Sequence, residues 1–214
     1  MGALVIKQLR LGRMENYVYL VGDAATKDCA VVDPSWDIPA VFKELETEGL
    51  KLGAVLLTHH HFDHTDGLPE LLEKAPVPVY VNKNDAPFIK AAGAHLRPVE
   101  DGQKLKLGGL ELTFLHTPGH TAGSQCVLAD KALFTGDTLF IGGCGRVDLP
   151  DSSASDLYAT LKKLELLPDD LIIYPGHNYS PETSARLGDE KTANPYLAAA
   201  RRLSLEHFLR GFGF

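Results

Sequence analysis

Short apolar runs separated by turn residues predict strands along the first third of the chain. Residues 16–21 and 29–32 are rich in β-branched and aromatic side chains, which is typical of strands. Asp37 precedes apolar residues at helical spacing and Gly49 follows them, so this segment is predicted to be a capped helix. The continuous apolar run 54–57 is typical of a buried strand. Two further elements are predicted before the middle of the chain, a helix near residues 68–75 and a strand at residues 77–81.

The second half repeats this alternation of strands and helices. Two hairpins with short turns are predicted at residues 104–116 and 126–134. Between residues 153 and 166, leucines recur on one face of a predicted helix and lysines lie on the other. A buried strand at residues 171–174 and a helical tail from Asn194 complete the pattern. The whole pattern predicts an α/β fold in which two sheets are sandwiched between helical layers.

Composition narrows the class of protein. The chain has 214 residues, of which 44% are hydrophobic, enough for one sizeable core. We expect a single domain over residues 1–214, with halves at 1–103 and 104–193 and a tail helix at 194–214. A formal net charge of −7 supplies no basic face for nucleic acid, and no apolar run is long enough to cross a membrane. The absence of a signal-peptide core and the three cysteines, which cannot all pair, predict a cytoplasmic protein with reduced thiols.

Histidine is the unusual residue, because four of the nine histidines fall within six consecutive positions. Directly after a predicted buried strand, His59, His61, Asp63 and His64 form an H-x-H-x-D-H pattern. Residues two apart in a short extended turn project to the same side, so these side chains can converge on one or two metal ions. Imidazole and carboxylate suit zinc, iron or manganese. His60 is interpreted as a support for the turn.

Three further polar residues follow predicted strands. His120, Asp137 and His177 each come after a strand and are each preceded by a glycine, which permits a tight turn or a close backbone approach. We expect the strand ends to present these residues and the histidine cluster at one sheet edge, the usual place for an active site.

On these motifs the chain resembles the metallo-β-lactamase superfamily and, within it, the glyoxalase II-like thioester hydrolases of the short bacterial branch. The resemblance spans residues 16–194 and includes every ligand motif in order. It implies a four-layer αββα sandwich of two mixed sheets flanked by helices, with two divalent metal ions between the sheets. Zinc is the expected metal, with iron and manganese as alternatives. By the same resemblance, the first ion is bound by His59, His61 and His120, the second by Asp63, His64 and His177, and Asp137 bridges the two.

A site of this kind implies hydrolysis by a hydroxide held between the two ions, since bound zinc lowers the pKa of water from about 15.7 to about 7. Asp63 is the ligand best placed to orient the hydroxide or to pass a proton, and so is the predicted catalytic residue. A thioester needs little acid assistance, because a leaving thiol has a pKa of about 8.5. We therefore predict a metallo-hydrolase for a small acyl thioester, of the S-D-lactoylglutathione type.

Two residues are candidates for substrate binding by resemblance. Residues 142–148 are similar to the G-C-G-K stretch of glyoxalase II, and Arg146 stands where that family binds a glutathione carboxylate through lysine. Val147 and Asp148 depart from the aromatic residues of that stretch. Tyr179 matches the family's substrate-binding tyrosine. Glyoxalase II also uses a C-terminal helical domain to bind glutathione, and the single tail helix expected here does not replace it, so the thiol carrier stays open.

Two other activities fit the same residues. The G-C-G-R-x-D stretch is similar to that of the persulfide dioxygenases, which use the positions of His59, His120 and Asp137 around one Fe(II) ion. A lactonase or esterase would use the same hydroxide as a thioesterase. The complete set of ligand positions favours the hydrolase, and the metal content of the protein separates it from the dioxygenase.

Overall fold

The computed structural model describes residues 2–212 and contains two large mixed sheets of six strands each. In the first sheet the strands follow one another in chain order. Its first three strands are antiparallel neighbours, and the remaining strands run parallel to the third. The strands are β1 (Leu4–Leu11), β2 (Asn16–Asp23), β3 (Asp28–Val32), β4 (Lys51–Leu56), β5 (Val79–Asn82) and β6 (Leu96–Val99).

The second sheet is built from the other half of the chain and includes both predicted hairpins. Its strands and a small two-stranded ribbon, β11 with β12, are β7 (Lys104–Leu107), β8 (Leu110–His116), β9 (Gln125–Ala129), β10 (Ala132–Gly136), β11 (Leu139–Phe140), β12 (Gly143–Cys144), β13 (Ile172–Pro175) and β14 (Ala185–Arg186). The order in the sheet is β14-β13-β10-β9-β8-β7, and only the pair β10 and β13 is parallel.

Helices cover the outer face of each sheet, which confirms the predicted αββα sandwich. The α-helices are α1 (Ile38–Glu48), α2 (Phe62–Thr65), α3 (Leu68–Lys74), α4 (Ala154–Glu165), α5 (Leu187–Ala193), α6 (Pro195–Arg202) and α7 (Leu205–Phe212), and two 3₁₀ segments lie at Ala86–Phe88 and Lys90–His95. Three apolar clusters fill the spaces between the layers: α1 and α3 against the first sheet, sheet against sheet, and α4 to α7 against the second sheet. No helix within residues 2–212 is long and apolar enough to cross a bilayer.

The two faces of strand β2 pack against different layers, the helices on one side and the second sheet on the other. Every residue of β2 is buried, because both faces of its sheet are covered. Val18 and Leu20 pack towards α1 and α3, whereas Tyr19 and Val21 pack between the sheets. Successive strand side chains point to opposite faces, so a continuous apolar run is what this position requires.

Capping groups place the helices where the sequence predicts them. The Asp37 side chain accepts a hydrogen bond from the Ala40 amide at the start of α1, and Gly49 ends that helix with a left-handed φ of 64°. Ser153 accepts a hydrogen bond from the Asp156 amide at the start of α4. These caps satisfy backbone groups that the helices themselves leave without partners.

The tail differs from the single helix predicted for residues 194–214. Helix α6 ends at Arg202, and Leu203 is extended, with φ −103° and ψ 153°. The Ser204 hydroxyl then accepts a hydrogen bond from the His207 amide at 3.4 Å, so a separate helix, α7, begins after it. Serine is a favoured helix cap, and its side chain competes with continuation of the preceding helix. Residues 213 and 214 of the predicted helix lie outside the described residues.

Candidate metal centre

The structure brings the seven predicted ligand residues together where four strands end. One local segment, the turn after β4 with the short helix α2, supplies His59, His61, Asp63 and His64. Three separate strands supply the others, with His120 after β8, Asp137 after β10 and His177 after β13.

The three glycines that precede His120, Asp137 and His177 are all required by the packing, and a Cβ atom on Gly119 would lie 2.6 Å from the Leu157 Cα atom. Gly136 has a left-handed φ of 49°, and a Cβ atom there would lie 2.4 Å from Thr58 Oγ1. A Cβ atom on Gly176 would lie 2.5 Å from Asp137 Oδ1. Any larger residue at either position would push into the site, so glycine lets the strand ends approach each other.

Three imidazoles form a first group, which we call the first triad: His59, His61 and His120. His61 Nδ1 lies 3.1 Å from His59 Nε2 and 3.0 Å from His120 Nε2. His59 and His120 are almost fully buried, whereas His61 is half-buried. The three inward nitrogens therefore surround one point that is reached from the side of His61.

Asp63, His64 and His177 form the second triad. Asp63 Oδ2 lies 3.5 Å from His64 Nε2 and 3.4 Å from His177 Nε2, and the two imidazole nitrogens are 3.2 Å apart. Asp137 reaches both groups, since its Oδ2 lies 3.6 Å from His120 Nε2 and 3.3 Å from His177 Nε2. The position of Asp137 between the triads is the one that a bridging carboxylate requires.

The outer nitrogens of four imidazoles have partners that set the direction of the ring. His120 Nδ1–H donates to the Arg146 carbonyl at 2.8 Å, and His177 Nδ1–H donates to the Met14 carbonyl at 2.8 Å. His64 Nδ1 donates to Asp33 Oδ2 at 2.9 Å, and His59 Nδ1 contacts Thr58 Oγ1 at 3.1 Å. A carbonyl can only accept, so the proton is held on Nδ1 and the Nε2 lone pair faces the site.

This donor set fits cations. His59 Nε2 and His61 Nδ1 lie 3.1 Å apart, and lone pairs on two neutral imidazoles at this distance repel unless a positive charge lies between them. Asp137 Oδ1 is buried and has no hydrogen-bond partner, which is costly for a carboxylate oxygen. Histidine nitrogens with carboxylate oxygens are the ligands that zinc prefers at catalytic sites. The residues present therefore suit two divalent ions, one at each triad.

The electrostatics of the two triads differ. Burial, reinforced by His64, holds the pKa of His59 well below its usual range, and burial with His120 lowers the pKa of His61 to about 4. For His64, burial lowers the pKa but Asp137 and Asp33 outweigh it, so the pKa of that imidazole is raised well above its usual range. His59 and His61 of the first triad are thus neutral before any metal binds, whereas a proton on His64 competes with a metal ion.

Asp33 lies behind the predicted ligands, and the sequence did not single it out. It follows β3 with a left-handed φ of 51°, a conformation that aspartate tolerates better than most residues. Besides His64, its carboxylate accepts hydrogen bonds from the Thr58 amide at 2.7 Å and the Thr58 hydroxyl at 2.6 Å. The buried carboxylate of Asp33 therefore positions His64 of the second triad and also Thr58, which directly precedes His59 of the first triad. A polar residue directly after an apolar strand was the available signal, but Asp33 lacks the preceding glycine that accompanies Asp137.

Asn16 and Trp36 also support the site, and no pattern in the sequence pointed to either residue. Asn16 Nδ2 donates to the Asp63 backbone carbonyl at 2.9 Å and to Asp63 Oδ2 at 3.1 Å. Trp36 Nε1 donates to Asn16 Oδ1 at 2.9 Å. The indole has only a donor, so it fixes which end of the amide faces Asp63. Asn16 is buried, and its amide orients the predicted catalytic carboxylate.

His60 lies behind the ligands, in agreement with its predicted role as a support. Its amide donates to Asp85 Oδ2 at 2.9 Å, and its ring nitrogens lie 3.0 Å from Asp85 and 3.2 Å from Asp151. The ring stacks on Phe88 with centroids 4.2 Å apart. These contacts hold the turn while the ligands on either side face the opposite direction.

A cleft of about 340 Å³ opens over the two triads, and Arg146 and Tyr179 both line it. The Arg146 guanidinium forms a two-bonded pair with the Asp148 carboxylate at 2.6 and 2.7 Å, and both side chains are exposed. Tyr179 stacks on His177 with centroids 4.8 Å apart and an interplanar angle of 3°. Both predicted substrate-binding residues therefore line the cleft over the triads.

Comparisons with known proteins agree with this geometry. The chain matches the sequence profile of the metallo-beta-lactamase superfamily over residues 11–177. It is 33% identical to the probable polyketide biosynthesis zinc-dependent hydrolase BaeB of Bacillus velezensis, over 91% of this chain and 85% of that protein. It is 36% identical to a hydroxyacylglutathione hydrolase of Alkalilimnicola ehrlichii, over 86% of this chain and 82% of that protein.

Among solved structures, ETHE1 from Myxococcus xanthus superposes with a TM-score of 0.83 and 33% identity, over 96% of this chain and 88% of that one. The chain therefore belongs to the metallo-beta-lactamase superfamily, and the predicted family is confirmed.

Proposed function

We propose that the protein is a metal-dependent hydrolase that cleaves small acyl thioesters with the help of two divalent ions. The observation that carries the proposal is the pair of triads, whose inward lone pairs face each other and are joined by Asp137. The similarity to a zinc-dependent hydrolase and to a hydroxyacylglutathione hydrolase supports the reaction class and favours zinc.

When bound, the two ions would lower the pKa of a shared water towards about 7 and supply a hydroxide at neutral pH. Asp63 lines the cleft and belongs to the second triad, so we assign it the catalytic role of orienting this water and holding its proton. Asn16 keeps the Asp63 carboxylate in place through its side-chain amide.

A cysteine nucleophile is not part of the proposed reaction. Burial raises the pKa of the Cys29 and Cys144 thiols to about 12 and that of the Cys126 thiol to about 11. A thiol, and not the thiolate that reacts, is therefore present at neutral pH. With a thioester substrate the departing thiolate needs no strong acid, which suits a site built from metal ligands.

We assign binding of the thiol carrier to Arg146 and Tyr179. The Arg146 guanidinium suits a carboxylate, such as that of glutathione, once it leaves Asp148. The aromatic ring of Tyr179 suits the apolar stem of the carrier. We place the protein in the cytoplasm, where small thiols are abundant and its three free cysteines stay reduced.

Metal content measured together with a panel of substrates tests the proposal. We expect two ions per chain and thioester hydrolysis under argon, with weaker turnover of lactones and oxygen esters. Removal of the ions by a chelator abolishes activity, and zinc restores it. Two bound ions with no hydrolysis of any thioester or ester would reject the proposed function.

A second candidate is a persulfide dioxygenase with one iron ion. The observation in its favour is the contact of Asp137 with His120, at 3.6 Å, beside His59, which places a carboxylate and two imidazoles around one point. One iron per chain and oxygen uptake with glutathione persulfide would favour this candidate over the hydrolase.

A further inference from the structure

We propose that the substrate carries an extended apolar acyl chain, and that this chain lies in a groove beside the metal cleft. The proposal rests on the hydrolase function above and narrows its substrate class. The groove, called the acyl groove here, has a volume of about 200 Å³. Its apolar lining consists of Phe62, Leu68, Pro69, Phe88, Ile89 and Ala91, and Thr65, Asp66 and Lys90 complete it.

Exposed apolar side chains concentrate around this groove and the metal cleft. Among the described residues, seven large hydrophobic side chains are exposed, and four of them line the cleft, the groove or both: Met14, Phe62, Phe88 and Tyr179. Phe62 is 61% exposed and Phe88 is 58% exposed, although each is large enough to anchor a core. A group of exposed apolar side chains on one face marks a binding surface more often than chance.

The acyl groove adjoins the metal cleft, and Phe62 lines both. His61 belongs to the first triad and Asp63 to the second, whereas the side chain of Phe62 between them is exposed. On the same turn, the ring of His60 stacks on Phe88, which forms another part of the groove wall. The turn that presents the ligands thus also builds the groove, so a chain attached to the reacting carbonyl passes over Phe62 into it.

The two ends of the substrate have separate places. Tyr179 stacks on His177 in the second triad, and with Arg146 it is assigned to the thiol carrier. Phe88 instead stacks on His60, next to the first triad. An alkyl chain needs only apolar walls, and each methylene that is buried strengthens binding about fourfold.

A fluorescence titration tests the groove without relying on hydrolysis. Trp36 is the one tryptophan of the chain, and its ring lies 6.5 Å from that of Phe62, so it reports ligands that reach Phe62. The metal-loaded protein is titrated with non-hydrolysable thioethers of N-acetylcysteamine that carry methyl, butyl, hexyl or octyl chains. We expect the affinity to rise about fourfold for each added methylene, as burial of alkyl surface predicts.

Two variants and a matched control locate the chain. Phe88→Ala removes a wall of the groove, and Ala91→Phe fills it, so each should flatten the increase of affinity with chain length. Leu166→Ala removes a side chain that is 86% exposed beyond α4 and lines neither cavity, so the full increase should remain. Circular dichroism and melting curves establish that all three variants are folded.

Each outcome decides between the alternatives. Equal affinities along the series, or an increase that both groove variants leave intact, would overturn the acyl groove. The corresponding acyl thioesters are assayed in parallel. Binding that increases with chain length in a protein that hydrolyses none of them supports the groove and rejects the hydrolase, and hydrolysis with no dependence on chain length does the reverse.

Discussion

The two triads use similar side chains but hold charge differently. The first triad consists of three imidazoles, and the outer nitrogens of two of them contact uncharged groups, the Thr58 hydroxyl beside His59 and the Arg146 carbonyl beside His120. The second triad contains the carboxylate of Asp63, and a further buried carboxylate, Asp33, lies behind His64. Carboxylate charge is therefore concentrated at the second triad, whereas two of the three donors of the first triad come from the turn after β4. If each triad binds an ion as proposed, we expect single substitutions to weaken the two sites separately.

Replacing Asp137, the residue that belongs to both groups, should have the largest effect. In Asp137→Ala the carboxylate that spans the triads is lost, and with it the means to hold both ions around one water. We expect kcat/KM for a thioester to fall on the order of 10³-fold or more, because the activated water and its charge stabilisation disappear together. Steady-state kinetics and metal analysis of the same preparation measure the effect.

The matched control for this variant is Asp170→Ala, which removes an exposed carboxylate paired with Lys131. Exposed pairs of this kind contribute little, so activity and metal content should stay at the wild-type level. Unchanged turnover in Asp137→Ala would mean that catalysis takes place elsewhere in the protein.

Asp33→Asn separates the triads, because among the ligands its carboxylate is hydrogen-bonded to His64 alone. The amide oxygen can still accept from His64 Nδ1, but the negative charge behind the imidazole is lost. We expect affinity for the second ion to fall about 10- to 100-fold, as for other residues that support metal-binding histidines. Metal titration followed by calorimetry should then resolve one tight and one weak site.

The control for this prediction is Thr58→Ser, which keeps the hydroxyl that contacts both Asp33 and His59. Both sites should remain tight in that variant. An equal loss of affinity at both sites in Asp33→Asn would refute the proposed difference between the triads.

The predicted ligand residues carry signals in their own stretch of sequence. The residues that support them do not, because their hydrogen-bond partners are distant along the chain. The ligand cluster of residues 59–64 is local, and its spacing alone indicates metal binding. His120, Asp137 and His177 are dispersed, but each follows a recognisable apolar strand and a glycine. The fold and the meeting of these residues were therefore predictable, because strand ends on one side of a sandwich converge. Their metal-binding roles stay predictions that the variants here test.

The supporting residues depend on contacts that no local pattern encodes. Asn16 reaches Asp63 across 47 positions, and Asp33 reaches His64 across 31. Hydrogen bonds between distant segments are set by the packing of the two elements, and propensity or periodicity carries no information about them. The break at Ser204 was missed for a different reason, because a single capping side chain outweighed a continuous helical pattern.

Asn16→Leu tests whether the orientation of Asp63 matters beyond its presence. Leucine fills a similar volume but donates no hydrogen bond, and it leaves the Trp36 indole without an acceptor. We expect the free energy of unfolding to fall by about 1–3 kcal/mol, the usual cost of an unsatisfied buried group. Because the carboxylate loses one of its restraints, kcat should fall about tenfold while KM changes little.

Trp36→Phe provides the comparison for this variant. It removes the indole donor but leaves the Asn16 amide, which can still reach Asp63. We expect a smaller loss of kcat, with the same two ions per chain. A loss of the second ion in Asn16→Leu would show that Asn16 holds the metal site together, and that its effect is not on the orientation of Asp63 alone.

Arg146 gives the smallest effect, because its side chain contacts neither triad. Its carbonyl holds His120, and that contact survives any substitution of the side chain. In Arg146→Ala we expect both ions to stay bound and kcat to be retained, while KM for a glutathione thioester rises about three- to tenfold through loss of the carboxylate partner.

Asp148→Asn should act in the opposite direction, since it frees the guanidinium from its intramolecular pair. For an uncharged N-acetylcysteamine thioester, neither variant should change KM. A similar rise for both substrates would mean that Arg146 shapes the cleft and does not recognise a carboxylate.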